Sequence, residues 1–442
     1  MTIFGRRLFF VTKILFVIDF MIIFAACLNE DLVDLESEQE AFNSRRLADY
    51  TNVGGPLAKN KQNASSSESH SPTPIAKTKT ESLVEALNRL FGNGGKKGSA
   101  KTDSPFQQFL NNFSKNYFGS PQEQSRRRGM FAINLEKVNE KNKERKSEDD
   151  AAFGLTEFAD LSHEELIKKF TGILPGGPLG EKIRLNDDEV KQLQFPNKLD
   201  WKQIGVFPEV RTQGSCGACY AFTVADLTVS QWAVESGKRG SIVRPLSPRY
   251  VLQCGGEHAH GCTGGLPSLV LKQLSLCAGC GIPLESCYPY ENGTDLEIKQ
   301  CNKPCEERHR LKWSQMVDIS GPHERELMAS LLQWGPLLAI IDCSEVWQFY
   351  NGQGIIKASQ CGQNQNHAIL VVGYDYSGPT PYYIIRNSWG PKWGDKGYAK
   401  VEAAKNACSV AKTVIVGCYE KCGDGVVSAK DLLGKSNAPA AH

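Results

Sequence analysis

The 442-residue sequence has almost no excess of either charge: 51 Lys and Arg stand against 49 Asp and Glu, a formal net charge of +2. That balance gives no electrostatic basis for binding nucleic acid or a strongly acidic partner. No internal repeat recurs at a fixed period, which excludes solenoids and propellers. Histidine is scarce, at eight residues. The close pair His258-Ala-His260 has no carboxylate or third ligand at a useful spacing, so it reads as a loop rather than a metal site. Residues 28–104 are poor in aromatics and rich in Ser, Lys, Asn, Thr and Glu, and cannot bury enough apolar surface to form a core. The N-terminal apolar run from Leu8 to Ala26 is interrupted by Lys13 and Asp19, and charge at mid-bilayer argues against a stable membrane span.

Cysteine is plentiful. Fifteen are present, too many for a reduced cytosolic chain of this size and suited to an oxidising compartment. Arg6 and Arg7 ahead of the apolar run, and Ala25-Ala26 closing it, follow the plan of a secretory signal peptide over 1–27; a retained signal anchor is the alternative, and only then would the chain contact a membrane. The acceptor tripeptides at Asn63, Asn112 and Asn292 fit an exported chain carrying N-linked glycans. The expected location is the secretory pathway, ending in a lysosome or outside the cell.

The rest divides by texture. After the low-complexity extension 28–104, a helical pattern sets in. Glu123, Arg127, Phe131, Asn134, Val138 and Asn142 recur at steps of three and four, which places them on one helix face, with Glu123 and Arg127 spaced for an ion pair. Phe153 to Leu161 is a short alternating apolar run, and Ser162 with Glu165 reads as a capping box. Pro175-Gly-Gly-Pro-Leu-Gly180 breaks the pattern, and the polar stretch to Gln194 reads as an exposed, cleavable linker. Beyond it, helical signals come first: Phe222, Ala225, Val229, Trp232 and Ala233 keep one face, and Gly237 ends the helix. Strand signals come later, at 337–341, 368–374, 382–385 and 398–401. Helices followed by mostly antiparallel strands indicate an α+β fold. From Gly423 the chain reads as a polar tail.

Gln213-Gly-Ser-Cys-Gly-Ala-Cys-Tyr220 carries the chemistry. Cys219 would stand in the first turn of a helix, where free N–H groups and the positive dipole end favour a thiolate. Of the histidines, His70 and His442 lie in low-complexity or terminal segments, His163 lies in the region before the break, and His258, His260, His309 and His323 sit in polar, loop-like context. His367 opens the apolar run 368–373, so a strand would hold it rigidly. Asn387, ending the run 382–386, can accept the second imidazole N–H, with Trp389 shielding that bond. Two other readings are open at this point. Cys216 and Cys219 form a C-x-x-C, but the preceding Glu209-Val-Arg-Thr-Gln-Gly214 does not supply the strand of a thioredoxin-like βαβ unit. The other C-x-x-C and C-x-x-x-C spacings could bind zinc, although disulfides suit an exported chain better.

With these residues in place, the sequence resembles the papain-like cysteine peptidases of the cathepsin L/F type over about residues 105–422. Cys216-Gly-Ala-Cys-Tyr220 fits the family's C-G-[SA]-C-[WY], with His367 about 150 positions downstream and Asn387 somewhat beyond the usual range. Gly261-Cys-Thr-Gly-Gly265, Asn366-His-Ala-Ile-Leu-Val-Val-Gly-Tyr374, Asn387-Ser-Trp-Gly390, Trp393-Gly394, Gly397-Tyr398 and Asp200-Trp201 are similar to further family motifs. The 123–142 helix matches the spacing of the family's inhibitory propeptide, with Val138 in place of Ile. Gly154, Thr156, Phe158 and Asp160 resemble its second motif, with Thr in place of Asn.

The resemblance implies a two-lobed papain-like fold, with a helical left lobe and an antiparallel, barrel-like right lobe, preceded by a helical inhibitory propeptide. The implied segments are a prodomain at 105–170, a cleavable linker at 171–195, a peptidase domain at 196–422 and a tail at 423–442. Cys219 is the implied nucleophile, His367 its partner in a thiolate–imidazolium pair, Asn387 the ring's orienter and Gln213 an oxyanion donor. Gly264 and Gly265 would hold substrate as an antiparallel strand. Leu266, Pro267, Ile340, Ala368 and Thr413 would line the main specificity pocket, none of them charged, which favours an apolar P2 residue. Implied disulfides are Cys216–Cys262, Cys361–Cys408, and Cys254 with Cys301 or Cys305; Cys277, Cys280, Cys287, Cys343, Cys418 and Cys422 stay unassigned, with one unpaired. No metal or organic cofactor is implied. The implied partners are protein or peptide substrates, the chain's own propeptide and cystatin-type inhibitors. A catalytically dead binding homologue is the competing reading, since Tyr220 replaces the commoner Trp.

Overall fold

The computed structural model describes residues 104–117, 119–175, 182–276, 281–291, 301 and 304–420. The expected signal peptide, low-complexity extension and C-terminal tail lie outside these residues, as do Asn63, Asn292, Cys277, Cys280 and Cys422. The described chain opens with helix α1, Pro105–Asn112. Ser104 caps it through its side chain, with proline at the first position, where no N–H is needed. Helix α2, Pro121–Lys143, starts in the same way from Ser120. Its buried face carries Arg127, Phe131, Asn134 and Val138, as the spacing predicts. Phe131 packs with Phe106 and Phe109 in a small core of their own, whereas Val138 joins the main core of the molecule.

Polar residues of α2 tie down the chain that follows. Asn134 donates from Nδ2 to the carbonyls of Ala159 and Leu161 at 2.9 and 2.7 Å. Asn142 exchanges two bonds with the Phe153 backbone, at 2.8 and 3.0 Å. Phe153 to Leu161 forms no regular strand. Instead Phe153 makes an isolated bridge to Tyr350, Gly154 donates to the Phe349 carbonyl at 2.8 Å, and buried Asp160 accepts from the Tyr117 hydroxyl. Helix α3, His163–Phe170, has the expected capping box between Ser162 and Glu165.

Arg127 is the electrostatic joint of this region. It pairs with Glu123 at 2.6 Å and with Glu165 of α3 at 3.2 Å. Arg126 and Arg127 together hold the Glu123 carboxyl down at about 2. Removing Arg127 leaves Glu123 and Glu165 bridged only by the exposed Arg126, which reaches them at 2.8 and 2.9 Å. Fully buried pairs broken in this way cost roughly 3–5 kcal/mol, and partial exposure of both carboxylates lowers the expected loss to about 1–3 kcal/mol. Arg127→Ala is therefore expected to make 105–170 susceptible to limited proteolysis at temperatures where 196–420 stays resistant. Equal resistance of both segments in a timed digest would contradict this role.

The polar stretch up to Gln194, read as an exposed, cleavable linker, carries two short regular elements while most of its described residues are exposed. Strand β1, Lys182–Ile183, pairs in parallel with strand β5, Trp313–Val317. Helix α4, Asp187–Gln192, follows, with Val190 buried. Arg325 donates to the carbonyls of Val190 and Leu193 at 3.2 and 3.3 Å and lies 4.6 Å from the Phe195 ring. These elements depend on partners more than a hundred residues away, which local composition does not reveal.

The following domain has two lobes. After the short helix α5, Trp201–Ile204, the first is built on helix α6, Cys219–Ser236, ended by Gly237 in the left-handed conformation, with helices α7, Pro248–Cys254, and α8, Pro267–Leu276, against it. The expected single apolar face of α6 is too narrow: from Cys219 to Gln231 every residue is buried, because strands and helices pack on all sides. Strands β3, Ile282–Pro283, and β4, Arg308–His309, pair with each other. The second lobe contains β2, Lys198–Asp200, β6, Leu337–Ile341, β7, His367–Asp375, β8, Tyr382–Arg386, β9, Tyr398–Glu402, and β10, Val414–Cys418. With β1 and β5 they form an eight-stranded sheet in the order β1-β5-β10-β6-β7-β8-β9, with β2 paired to β7. The four expected strands are all present, within a residue or two. A bulge between Val371 and Gly373 lets β7 pair with β6, β8 and β2 as the sheet curls. His309 departs from its polar-loop reading. It is buried, bonded to Glu307 and Tyr419 at 2.9 and 3.1 Å, and meets the Trp232 ring edge-on at 5.0 Å.

Candidate active site

Cys219 is the first residue of α6, and Ala218 before it offers no capping side chain. The Cys219 and Tyr220 N–H groups therefore have no capping side chain and face the sulfur, whereas the Ala221 N–H bonds the Ala218 carbonyl at 2.9 Å. Sγ accepts from the Ala368 N–H at 3.5 Å, and from the Gly172 N–H. His367, the first residue of β7, precedes Ala368, so strand and helix meet at the thiol.

The imidazole is held from its far side. Nε2 lies 2.9 Å from Asn387 Oδ1. The same oxygen accepts the Ser388 N–H at 2.8 Å, so it acts as an acceptor to both and assigns the ring proton to Nε2. Nδ1 then carries the lone pair, and it is buried with no hydrogen-bond partner among the described residues. The Trp389 ring, 5.0 Å from that of His367 and 1 % exposed, covers the His–Asn bond.

Gln213 is buried beside them. Its Oε1 accepts from Ser388 Oγ at 2.6 Å, which leaves Nε2 as a donor. Nε2 donates to the Cys216 carbonyl at 2.7 Å and to the Phe170 carbonyl at 3.1 Å. Trp389 Nε1 donates to the same Phe170 oxygen at 3.3 Å. In this state the donor expected to face a developing oxyanion is thus taken by a carbonyl from the N-terminal segment.

That segment lies across the cleft. Gly265 donates to the Gly172 carbonyl at 2.9 Å, Leu174 donates to the Gly265 carbonyl at 3.4 Å, and Ile173 donates to the Asn366 carbonyl at 3.2 Å. Gly265 thus uses its backbone edge as expected, but Ile173 pairs with it in parallel, opposite in polarity to the antiparallel strand expected for a substrate. Tyr220 packs against the same edge: a Cβ on Gly265 would lie 2.6 Å from its ring, and its hydroxyl donates to the Gly261 carbonyl at 3.2 Å.

Three expected pocket residues come together. Ile340 and Ala368 are register partners, and Ile340 donates to the Thr413 carbonyl at 3.1 Å. Leu266 and Pro267 follow Gly265 at the start of α8. Leu174 reaches the same rim, with Cδ2 3.2 Å from where a Gly264 Cβ would lie. Gln365 was missed: it donates to the Ile340 carbonyl at 2.5 Å and accepts from Thr413 Oγ1 at 2.9 Å. Ser388, the orienter of Gln213, was missed as well. Adjacency to His367 and Asn387 was the available signal for both.

The cysteines divide as the resemblance implies. Cys216–Cys262, Cys254–Cys301 and Cys361–Cys408 are disulfides, and Cys287–Cys305 is a fourth. Cys216 is therefore committed elsewhere, and the C-x-x-C is not a redox pair. Among the described residues Cys219 and Cys343 are free. Burial pushes the Cys219 thiol up to about 11, against backbone donors that favour the thiolate. Burial also pushes His367 down to about 4, against the Asn387 bond. Under the N-terminal segment, loss of water therefore disfavours charge on both groups.

A thiol and a lone-pair imidazole under a peptide of reversed polarity are the parts of a cysteine protease in precursor form. The comparisons agree. Residues 195–418 match the papain family cysteine protease domain, and residues 106–166 match the cathepsin propeptide inhibitor domain. A viral cathepsin of Epiphyas postvittana nucleopolyhedrovirus is 31% identical over 326 residues, covering 70% of this chain and 90% of its own. Cysteine protease XCP2 of Arabidopsis thaliana is 32% identical over 306 residues, covering 67% and 80%. The digestive procathepsin L2 proteinase of Tenebrio molitor larval midgut superposes with a TM-score of 0.62 at 26% identity, covering 71% of this chain and 98% of that one. The chain belongs to the papain family of cysteine proteases and is made with an inhibitory propeptide.

Proposed function

We propose that the peptidase domain, 196–422, is a cysteine endopeptidase with Cys219 as nucleophile and His367 as acid and base. The supporting observation is the bond from Nε2 to Asn387, which leaves a bare Nδ1 beside the helix that starts at Cys219. Once the propeptide leaves, water returns and the Cys219 proton passes to Nδ1. Sγ attacks the peptide carbonyl, and the oxyanion takes hydrogen bonds from Gln213 Nε2 and the Cys219 N–H. Nδ1 gives its proton to the departing amine, leaving a thioester. It then takes a proton from water as the hydroxide oxygen attacks, which releases the acid and the thiol. Asn387 keeps the ring in register throughout. Gly264 and Gly265 hold the substrate backbone, and the pocket of Leu266, Pro267, Ile340, Ala368 and Thr413 takes an apolar P2 side chain.

In this reading 1–27 is a cleaved signal, 28–104 an extension, 105–170 the inhibitor and 171–195 the segment within which processing occurs. Four disulfides between described residues, and Cys418 disulfide-bonded as well, fit a secretory or lysosomal compartment. Asn112 is exposed at the end of α1, as a glycan acceptor requires. Cystatin-type inhibitors would compete for the cleft that the propeptide vacates.

Acid incubation of the precursor tests the proposal. Burial holds the covered His367 down at about 4 against 6.5, so the covered state resists taking up a proton at that ring, and any uptake as pH falls from 6.5 towards 4 favours release. Burial depresses His163 of α3 as well, so its titration acts in the same direction. Release of the propeptide and labelling of Cys219 by a thiol-directed epoxide are therefore expected to accelerate between pH 6.5 and 4, with cleavage of a peptide bearing Leu or Phe at P2. A pH-independent release rate, or no peptide cleavage by the released product, would overturn the proposal.

A further inference from the structure

Asp226 stands seven residues after Cys219 on α6, about 10 Å further along the helix axis, and is 8% exposed. Its carboxylate joins two arginines from separate segments. Oδ2 accepts from Arg386 Nε at 2.9 Å, and Oδ1 accepts from Arg211 Nη2 at 3.0 Å. Arg386 is the last residue of β8, immediately before Asn387. Its other donors reach the Tyr398 hydroxyl at 2.8 Å and the Glu209 carbonyl at 3.2 Å, and its guanidinium lies 5.0 Å from the Phe207 ring. Arg211 stands two residues before Gln213. It donates to the Leu246 carbonyl at 2.9 Å and to Glu285 at 3.0 Å, and its own carbonyl accepts the Gly390 N–H at 3.1 Å. Glu285 in turn accepts the Tyr290 N–H at 2.6 Å, and the Tyr290 hydroxyl donates to the Gln213 carbonyl at 2.6 Å.

Three segments of different lobes therefore converge on one carboxylate, each carrying a functional side chain at a short fixed offset: Cys219 on the helix, Asn387 after the strand and Gln213 after the loop. Buried ion pairs add little net stability over apolar replacements, and fixing one arrangement is their best-attested use. The planar guanidinium holds direction as well as distance, which an ammonium does not. We propose that Asp226, through Arg386 and Arg211, is a positioning residue for peptide hydrolysis: it sets the thiol helix, the imidazole's orienter and the oxyanion donor in mutual register. The proposal rests on the roles given to Cys219, Asn387 and Gln213 above.

The test uses processed enzyme, counted by titration with a thiol-directed epoxide, so that every rate refers to sites with a reactive thiol. Asp226→Asn and Arg386→Lys are each expected to lower kcat per titrated site by about tenfold or more with KM changed by less than about twofold, because misalignment acts on the transition state rather than on binding. Asp226→Glu, which keeps the charge, is expected to recover part of the loss. Val317→Ala, in β5 and away from the cleft, lowers the melting temperature and leaves kcat per site unchanged. If Asp226→Asn does not fold, Arg386→Lys decides alone. A kcat per site within twofold of wild type, whatever the melting temperature, overturns the proposal while wild-type cleavage and its loss in Cys219→Ala keep the catalytic reading intact. Wild-type enzyme that cleaves no peptide overturns both.

Discussion

Replacement of Cys219 by alanine is expected to abolish peptide cleavage and leave the precursor folded. The substitution removes one sulfur from a fully buried site. That sulfur accepts hydrogen bonds from backbone N–H groups, those of Ala368 and Gly172 and those of Cys219 and Tyr220 in the first helical turn. The cavity is small, so the stability cost is expected to stay near 1 kcal/mol or less. The catalytic cost is of another order. No other described thiol can take over, because Cys343 is the only other free one and is fully buried. Loss of a nucleophile in a protease of this mechanistic type lowers kcat by about 10^4-fold or more. The measurement pairs circular-dichroism melting of the precursor with hydrolysis by the processed variant, prepared by added wild-type enzyme that is then removed. Turnover within tenfold of wild type would refute the assignment.

Gly172→Ala is expected to unseat the propeptide without touching the peptidase domain. A Cβ at this position would lie 1.9 Å from the Gly217 carbonyl oxygen and 2.5 Å from its carbon. The opposing backbone cannot retreat. Gly217 donates to the Cys262 carbonyl at 3.0 Å, its neighbour Cys216 is tied to Cys262 by a disulfide, and a Cβ on Gly217 itself would strike Cys262 at 2.5 Å and Thr171 at 2.8 Å. The propeptide must therefore lift. Overpacking against rigid backbone costs about 1–3 kcal/mol, a tenfold to hundredfold rise in the exposed fraction. Epoxide labelling of Cys219 in the intact precursor near pH 7.5 should rise by that factor. Gly129→Ala on α2, where no atom lies within 4 Å of the new Cβ, should leave labelling unchanged. Equal labelling of both variants would remove Gly172 as the point of closest approach.

These expectations differ in how far each was visible in the chain. The α2 face from Glu123 to Asn142 was legible because helical period and ion-pair spacing are local, and Ser162 with Glu165 declared a helix start within four residues. The strands opening at His367 and ending before Asn387 were legible because their buried cores are continuous apolar runs. The stretch 182–192 was not, since its strand exists only through β5 and its helix end is held by Arg325. The burial of α6 on every side was not legible either, because the pattern of one segment does not report how many neighbours surround it.

Sequence alone determined the identities that chemistry requires: a thiol at a helix start, an imidazole and an amide at opposite ends of strands, and a glutamine six residues before the thiol. Those depend on residue type and short-range spacing, which a chain carries in itself. Only the tertiary structure decided their state. It laid the propeptide across the cleft in parallel with Gly265, gave the Gln213 donor to the Phe170 carbonyl, and buried Cys219 and His367, which disfavours charge on both. It also brought Asp226 between Arg386 and Arg211. Strand polarity, desolvation and the meeting of distant charges arise when segments far apart in sequence are brought into contact.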